Sequence, residues 1–156
     1  MTAPPVFLVV EDGREYTDRF ERLLGQQGRF RFVRAGCAAE ALAGAAAGGV
    51  AGVLLDLDFR RTPPDQLIDD GGKSAVADAD SERRRLAAVQ GILILRALRR
   101  AAVTLPALLF ADLDDGGQVG YLEGELSPLQ VVPSSVGLQE IAVLLERIAA
   151  AAAASP

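Results

Sequence analysis

The stretch GVLLDLDFRRTPP, residues Gly52–Pro64, decides how the chain is read. An apolar run leads straight into Asp56, a second carboxylate follows at Asp58, and the chain then breaks up into arginines and prolines. A continuous apolar run of strand length is what a strand covered on both faces requires, because neither set of side chains can face water. Val53–Leu55 is therefore a buried strand with Asp56 and Asp58 at its carboxyl end.

The same pattern repeats on either side. VFLVV (Val6–Val10) is an apolar strand halted by Glu11 and Asp12. Tyr16, Phe20, Leu23 and Leu24 then share one helical face between Arg14 and Gln27, with Gly25 or Gly28 to end the helix. RFRFV (Arg29–Val33) reads as a second strand, and Ala38–Ala47 as an alanine-rich helix closed by Gly48 and Gly49. Downstream, Leu86, Val89, Ile92, Leu93 and Leu98 recur at three and four, which predicts one long helix over about 80–101. ALLF (Ala107–Phe110) is a fourth strand followed by the acidic turn DLDD (Asp112–Asp115), and LQVV (Leu129–Val132) is a fifth. Val136–Ala150 is a final helix with Val136, Ile141, Leu144, Leu145 and Ile148 inward. Gly116–Ser127 carries too many glycines to be read as a helix, although Val119, Tyr121, Leu122 and Leu126 offer packing.

Strand and helix thus alternate five times, which calls for a parallel sheet with helices on both faces. The expected class is α/β, a flavodoxin-like doubly wound five-stranded sheet in the order 2-1-3-4-5, three layers deep, with ligands at the carboxyl ends of the strands. One domain is expected over residues 1–150, and Ala151–Pro156 as a disordered tail or linker. The segment of about 60–80, with paired prolines, paired glycines and no apolar period, reads as a long, weakly ordered insertion between the third strand and third helix.

Composition narrows the chemistry. The chain has 156 residues and a formal charge of -5, so it offers no basic field for nucleic acid. It has no histidine, a single cysteine (Cys37) and a single lysine (Lys73). Histidine-based triads and zinc sites of the usual kind are therefore excluded, and an internal disulfide is impossible. Cys37 reads as a small apolar filler. DDGGKS ends like a phosphate-binding loop, but no strand leads into it. The first apolar run is too short for a signal peptide or a membrane span, and a cytoplasmic protein away from the membrane is expected.

In the expected strand order, Glu11 and Asp12 neighbour Asp56 and Asp58. Packed carboxylates repel, so either a cation such as Mg²⁺ or a proton should be found there. The plainer alternative is that Glu11 and Asp12 cap the first helix while Asp56 and Asp58 are solvated loop residues.

At these residues the chain resembles the receiver domains of two-component response regulators, the CheY-like family. VVEDG is similar to their acidic pair, LLDL to the phospho-acceptor after the third strand, GILILRALRR with LPALLF to the third helix and fourth strand, and VVPSS to the end of the fifth strand. The resemblance covers about residues 5–150. It implies that Asp56 accepts a phosphoryl group, that Glu11 and Asp12 hold Mg²⁺, and that Asp58 adds its main-chain carbonyl. It also implies a protein partner, a histidine kinase or a downstream signalling protein. The sequence departs from the family where the phosphoryl group would be sensed: Ala111 replaces the hydroxyl residue, Val132 the lysine, and Leu129 the aromatic. Gly91 follows Asp56 at a distance that makes the insertion roughly 27 residues. The expected function is an atypical receiver with a degenerate site, acting mainly through protein–protein contacts and not as an enzyme. Two alternatives stand beside it: a phosphorylatable, Mg²⁺-dependent switch, and a haloacid dehalogenase-like phosphotransferase using Asp56 and Asp58, with Asp112 and Asp115 as later metal-binding acids.

Overall fold

The computed structural model describes residues 3–154. Five strands, β1 (Val6–Val10), β2 (Arg31–Ala35), β3 (Gly52–Asp56), β4 (Ala107–Phe110) and β5 (Leu129–Val132), form one parallel sheet in the order β2-β1-β3-β4-β5. The helices are α1 (Glu15–Phe20, continued as a π-helical turn to Gly25), α2 (Ala38–Ala46), α3 (Asp80–Ala88), α4 (Gln90–Arg100), α5 (Gly116–Glu125) and α6 (Leu138–Ala154). None of them is long and apolar enough to cross a membrane. The expected fold class and strand order are those observed.

Period-two alternation splits the strands between two cores, as a sheet covered on both sides demands. Leu8, Val10, Val53, Leu55, Ala107 and Leu109 pack with residues of α2, α3, α4 and α5. Phe7, Val9, Leu54, Leu108 and Phe110 face the other way, against α1 and α6. That second core is aromatic: Phe20 lies 5.6 Å from Phe32 and 5.9 Å from Phe110, ring centre to ring centre.

Several boundaries differ from the sequence reading. The second strand lies two residues later, at Arg31–Ala35, because its register pairs Val6 with Arg31 and Val10 with Ala35. The long helix expected over 80–101 is two helices, broken at Val89, whose φ of −125° and ψ of 18° leave the helical region. Gly116–Glu125 is helical despite its glycines, because the Asp115 carboxylate caps it by accepting from Gly117 N–H at 2.8 Å and Leu122 is buried beneath. The last helix continues to Ala154, past the boundary drawn at 150, and only residues 155–156 of the expected tail lie outside the described chain.

The segment between β3 and α3 was expected to be weakly ordered, and instead has anchors of its own. Phe59, Leu67 and Ala75 are buried in the larger core. Ile68 and Ser74 form an antiparallel bridge. Gln90, fully buried at the start of α4, accepts from Ile68 N–H at 2.9 Å and donates to Ile68 O at 3.1 Å. A buried amide facing a backbone N–H and C=O satisfies both, so Gln90 pins the segment to the body of the fold.

Candidate functional site

Parallel pairing of β1 with β3 matches Val10 to Leu55, which brings the residues after both strands to one edge of the sheet. Glu11, Asp12 and Asp56 stand along that edge, at the reversal of strand order where open α/β sheets bind ligands. Their side chains nevertheless serve different tasks.

Glu11 is 1% exposed and turned toward α1. Its carboxylate accepts from Tyr16 N–H at 3.0 Å, Thr17 N–H at 2.7 Å and the Thr17 hydroxyl at 2.6 Å. The first amides of a helix have no internal partner and carry the positive end of its dipole, so a carboxylate is the natural acceptor. The capping alternative describes Glu11.

Asp12 faces the segment after β3. Its side chain is 5% exposed and holds Arg61: Oδ2 accepts from Arg61 N–H at 3.0 Å, and the guanidinium Nη2 lies 3.1 Å from Oδ1. The same guanidinium forks onto Glu15, Nη1 to Oε1 at 2.8 Å and Nη2 to Oε2 at 3.0 Å. Arg61 pulls the Glu15 carboxyl down to about 2. From β2, Arg34 donates to the main-chain carbonyls of Glu11, Asp12 and Gly13, which fixes the loop between β1 and α1.

Asp56 receives only the Leu57 N–H, at 2.9 Å, and no ion pair reaches it among the described residues. Burial pushes its carboxyl up to about 6, with Asp12, Glu11 and Asp58 adding repulsion and the Leu57 bond opposing. Asp58 turns to Arg60, 2.7 Å from Oδ2 to Nε. The acids that a dehalogenase-like reading would use are also engaged locally: Asp112 accepts from Ser134 N–H at 3.0 Å and from its hydroxyl, and Asp115 caps α5.

On the other side of Asp56, Ala111 N–H donates to Val132 O at 2.9 Å, so these two positions are adjacent at the sheet edge. Both side chains are buried and apolar, and neither has a donor to offer a phosphoryl oxygen. Lys73 stays on the exposed part of the segment, its N–H bonded to Asp69 at 2.9 Å. Asp12 is reached instead by Arg61, a residue to which sequence reasoning assigns no role. The visible signal was the arginine pair Arg60–Arg61, two residues after Asp58 in the loop that follows β3. A cavity of about 610 Å³ lies elsewhere, between this segment and α3, with Arg60, Thr62, Arg83 and Arg84 in its wall.

Comparisons with known proteins agree with this geometry at the level of fold. No protein-family model matches the chain, and no curated protein matches its sequence. Solved structures do match. The receiver domain of Francisella response regulator 1452 is similar at 14% identity and TM-score 0.66, over 92% of this chain and 95% of that one. The Vibrio cholerae chemotaxis protein CheY4 is similar at 14% identity and TM-score 0.64, over 94% and 99%. Thermotoga maritima response regulator TrrA, in complex with Mg²⁺ and BeF, is similar at 17% identity and TM-score 0.59, over 92% and 98%. The chain has the fold of CheY-like response-regulator receiver domains.

A Mg²⁺ ion in such a fold needs carboxylate oxygens free to face it. Here the Glu11 carboxylate is engaged by α1 and that of Asp12 by Arg61. Among the described residues no three acids, histidines or cysteines are grouped to hold a metal. The arrangement of these side chains does not fit a metal ion.

The uncompensated Asp56 has a measurable consequence. Its folded value lies above the ordinary 3.8, so the folded chain keeps a proton that the unfolded chain has released. Stability therefore falls as pH rises from about 4 to 6, and the penalty persists above that window. Asp56 is only partly buried, and solvent screening holds the penalty to about 1 kcal/mol. Asp56→Asn should be more stable than wild type by about that much near pH 7.5, with the gain shrinking toward zero near pH 4. Urea unfolding at both values measures it, and an equal effect at both would contradict the cause given.

Proposed function

We propose that this chain is an atypical receiver module in signal transduction that works by binding another protein, with phosphoryl acceptance at Asp56 suppressed. The observation that carries this reading is the setting of Asp56. It ends β3, where the resemblance to receivers puts the acceptor, yet Ala111 and Val132 offer no donors beside it and Asp12 is engaged by Arg61. Phosphoryl transfer depends on cations and donors that neutralise the charge developing on the phosphoryl oxygens. Without them, the carboxylate is a poor acceptor and any phosphoryl group would lack the contacts that convert it into a change of shape.

Support for contact with a protein comes from the face made by α5, β5 and α6, where Tyr121 is 67% exposed and Val143 45% exposed. A partner of this kind is a histidine kinase or a downstream signalling protein. The net charge of -5 argues against nucleic acid.

The test is incubation of the folded protein with Mg²⁺ and acetyl phosphate, read by intact mass, with Asp56→Ala alongside. We expect no gain of a phosphoryl group in either protein. A gain in wild type that disappears in Asp56→Ala would replace this reading with that of a phosphorylatable switch.

A further inference from the structure

We propose that Arg61 is an internal counter-ion that closes Asp12 to divalent cations, so that docking of the segment after β3 and metal binding at the acid edge exclude one another. The proposal goes beyond a role in protein contact, since it concerns what the acid edge itself binds and when.

Three observations carry it. First, the contact is built from both backbone and side chain. The Arg61 N–H and its guanidinium both hold Asp12, and the fork reaches Glu15 as well, so one arginine ties two carboxylates at the start of α1. A planar guanidinium satisfies carboxylate oxygens in pairs, which leaves few acceptor sites on Asp12 for a metal. Second, space has been left for it. A Cβ at Gly13 would collide with both Glu15 and the Arg61 guanidinium, so the absence of a side chain there admits the contact. Third, the contact is desolvated on one side only. Asp12 is 5% exposed, whereas Arg61 is 61% and Glu15 66% exposed. The buried carboxylate requires a positive partner, while the solvated arginine is free to leave.

The segment that carries Arg61 is anchored farther on by Leu67, Ala75 and Gln90. Release of Arg61 would therefore free the stretch between Phe59 and Leu67 without unfolding the rest. Since binding free energies are reciprocal, a cation that displaces Arg61 loosens this stretch, and anything that holds the stretch in place weakens the cation.

Calorimetric titration of Mn²⁺ or Mg²⁺ tests this with no dependence on phosphorylation. Arg61→Ala should bind the cation at least tenfold more tightly than wild type, and Asp12→Asn added to Arg61→Ala should abolish the gain. Glu15→Gln removes one anchor, leaves Asp12 and Arg61 in place, and should give a smaller gain in the same direction; it also decides the matter if Arg61→Ala does not fold. Equal affinity in wild type and in whichever of these variants folds overturns the proposal, as does a gain that survives Asp12→Asn. Failure of the interaction reading would instead appear as a phosphorylated mass, so the two results are separable.

Discussion

Gly91→Ala is expected to destabilise the fold by about 3 kcal/mol, with a large drop in the urea midpoint. Gly91 sits in the first turn of α4, pressed against the end of β3. Its N–H donates to Leu57 O at 3.0 Å. A Cβ there would lie inside the contact distance of the Asp56 carbonyl oxygen and 3.0 Å from both the Asp56 carbonyl carbon and Leu57 Cα. These neighbours are backbone atoms and cannot rotate away. Asp56 is also held in register opposite Phe110, so movement of β3 disturbs the sheet. Against this, alanine in a helix gains only about 1 kcal/mol over glycine. Gly120→Ala provides the control. Gly120 lies in the middle of α5 with nothing within 4 Å of its added Cβ, so there the same substitution should stabilise, by up to about 1 kcal/mol. Opposite signs for one chemical change isolate the close approach at Gly91 as the cause; equal signs would remove it.

Glu11→Ala is expected to cost about 3 kcal/mol, because three donors lose one charged acceptor in a buried place. The amides of Tyr16 and Thr17 and the Thr17 hydroxyl all converge on that carboxylate, and Thr17 is itself 1% exposed. Glu11→Gln keeps one oxygen but sets an amide NH₂ against an N–H or hydroxyl donor, so about half the loss should remain. Thermal unfolding with and without Mg²⁺ tells what Glu11 does. A helix-capping Glu11 makes the loss independent of Mg²⁺. A stabilisation of wild type by Mg²⁺ that Glu11→Ala abolishes would place the side chain at a metal instead.

The role of Glu11 shows where reading the chain alone reaches its limit. A carboxylate at the end of a buried strand is recognisable from residues 6–12, since a continuous apolar run stopped by acids is a local pattern. Whether that carboxylate turns to a metal or back to its own helix depends on where the amides of residues 16 and 17 lie. The helix at Gly116–Glu125 is a second case. Glycine lowers intrinsic helix propensity, but the Asp115 cap and the burial of Leu122 against the sheet outweigh it. The break at Val89 is a third: apolar spacing continues through it and so conceals it, while the side-chain amide of the next residue, Gln90, is held by the segment after β3.

The architecture and the missing donors are legible in the chain alone. Four apolar runs and the alternating RFRFV, with helical patterns between all but the last two, call for a parallel doubly wound sheet, and that order puts Asp56 at the end of the third strand, with Ala111 and Val132 at the ends of the fourth and fifth. The charge pairing, in contrast, arises from folding. Arg61 and Asp12 are 49 residues apart, and no periodicity in either segment refers to the other. Apolar patterning is written into each element because every strand must be covered wherever it lies. An ion pair between loops exists only once the sheet has brought β1 and β3 together and the anchored segment has carried its arginine back across their ends.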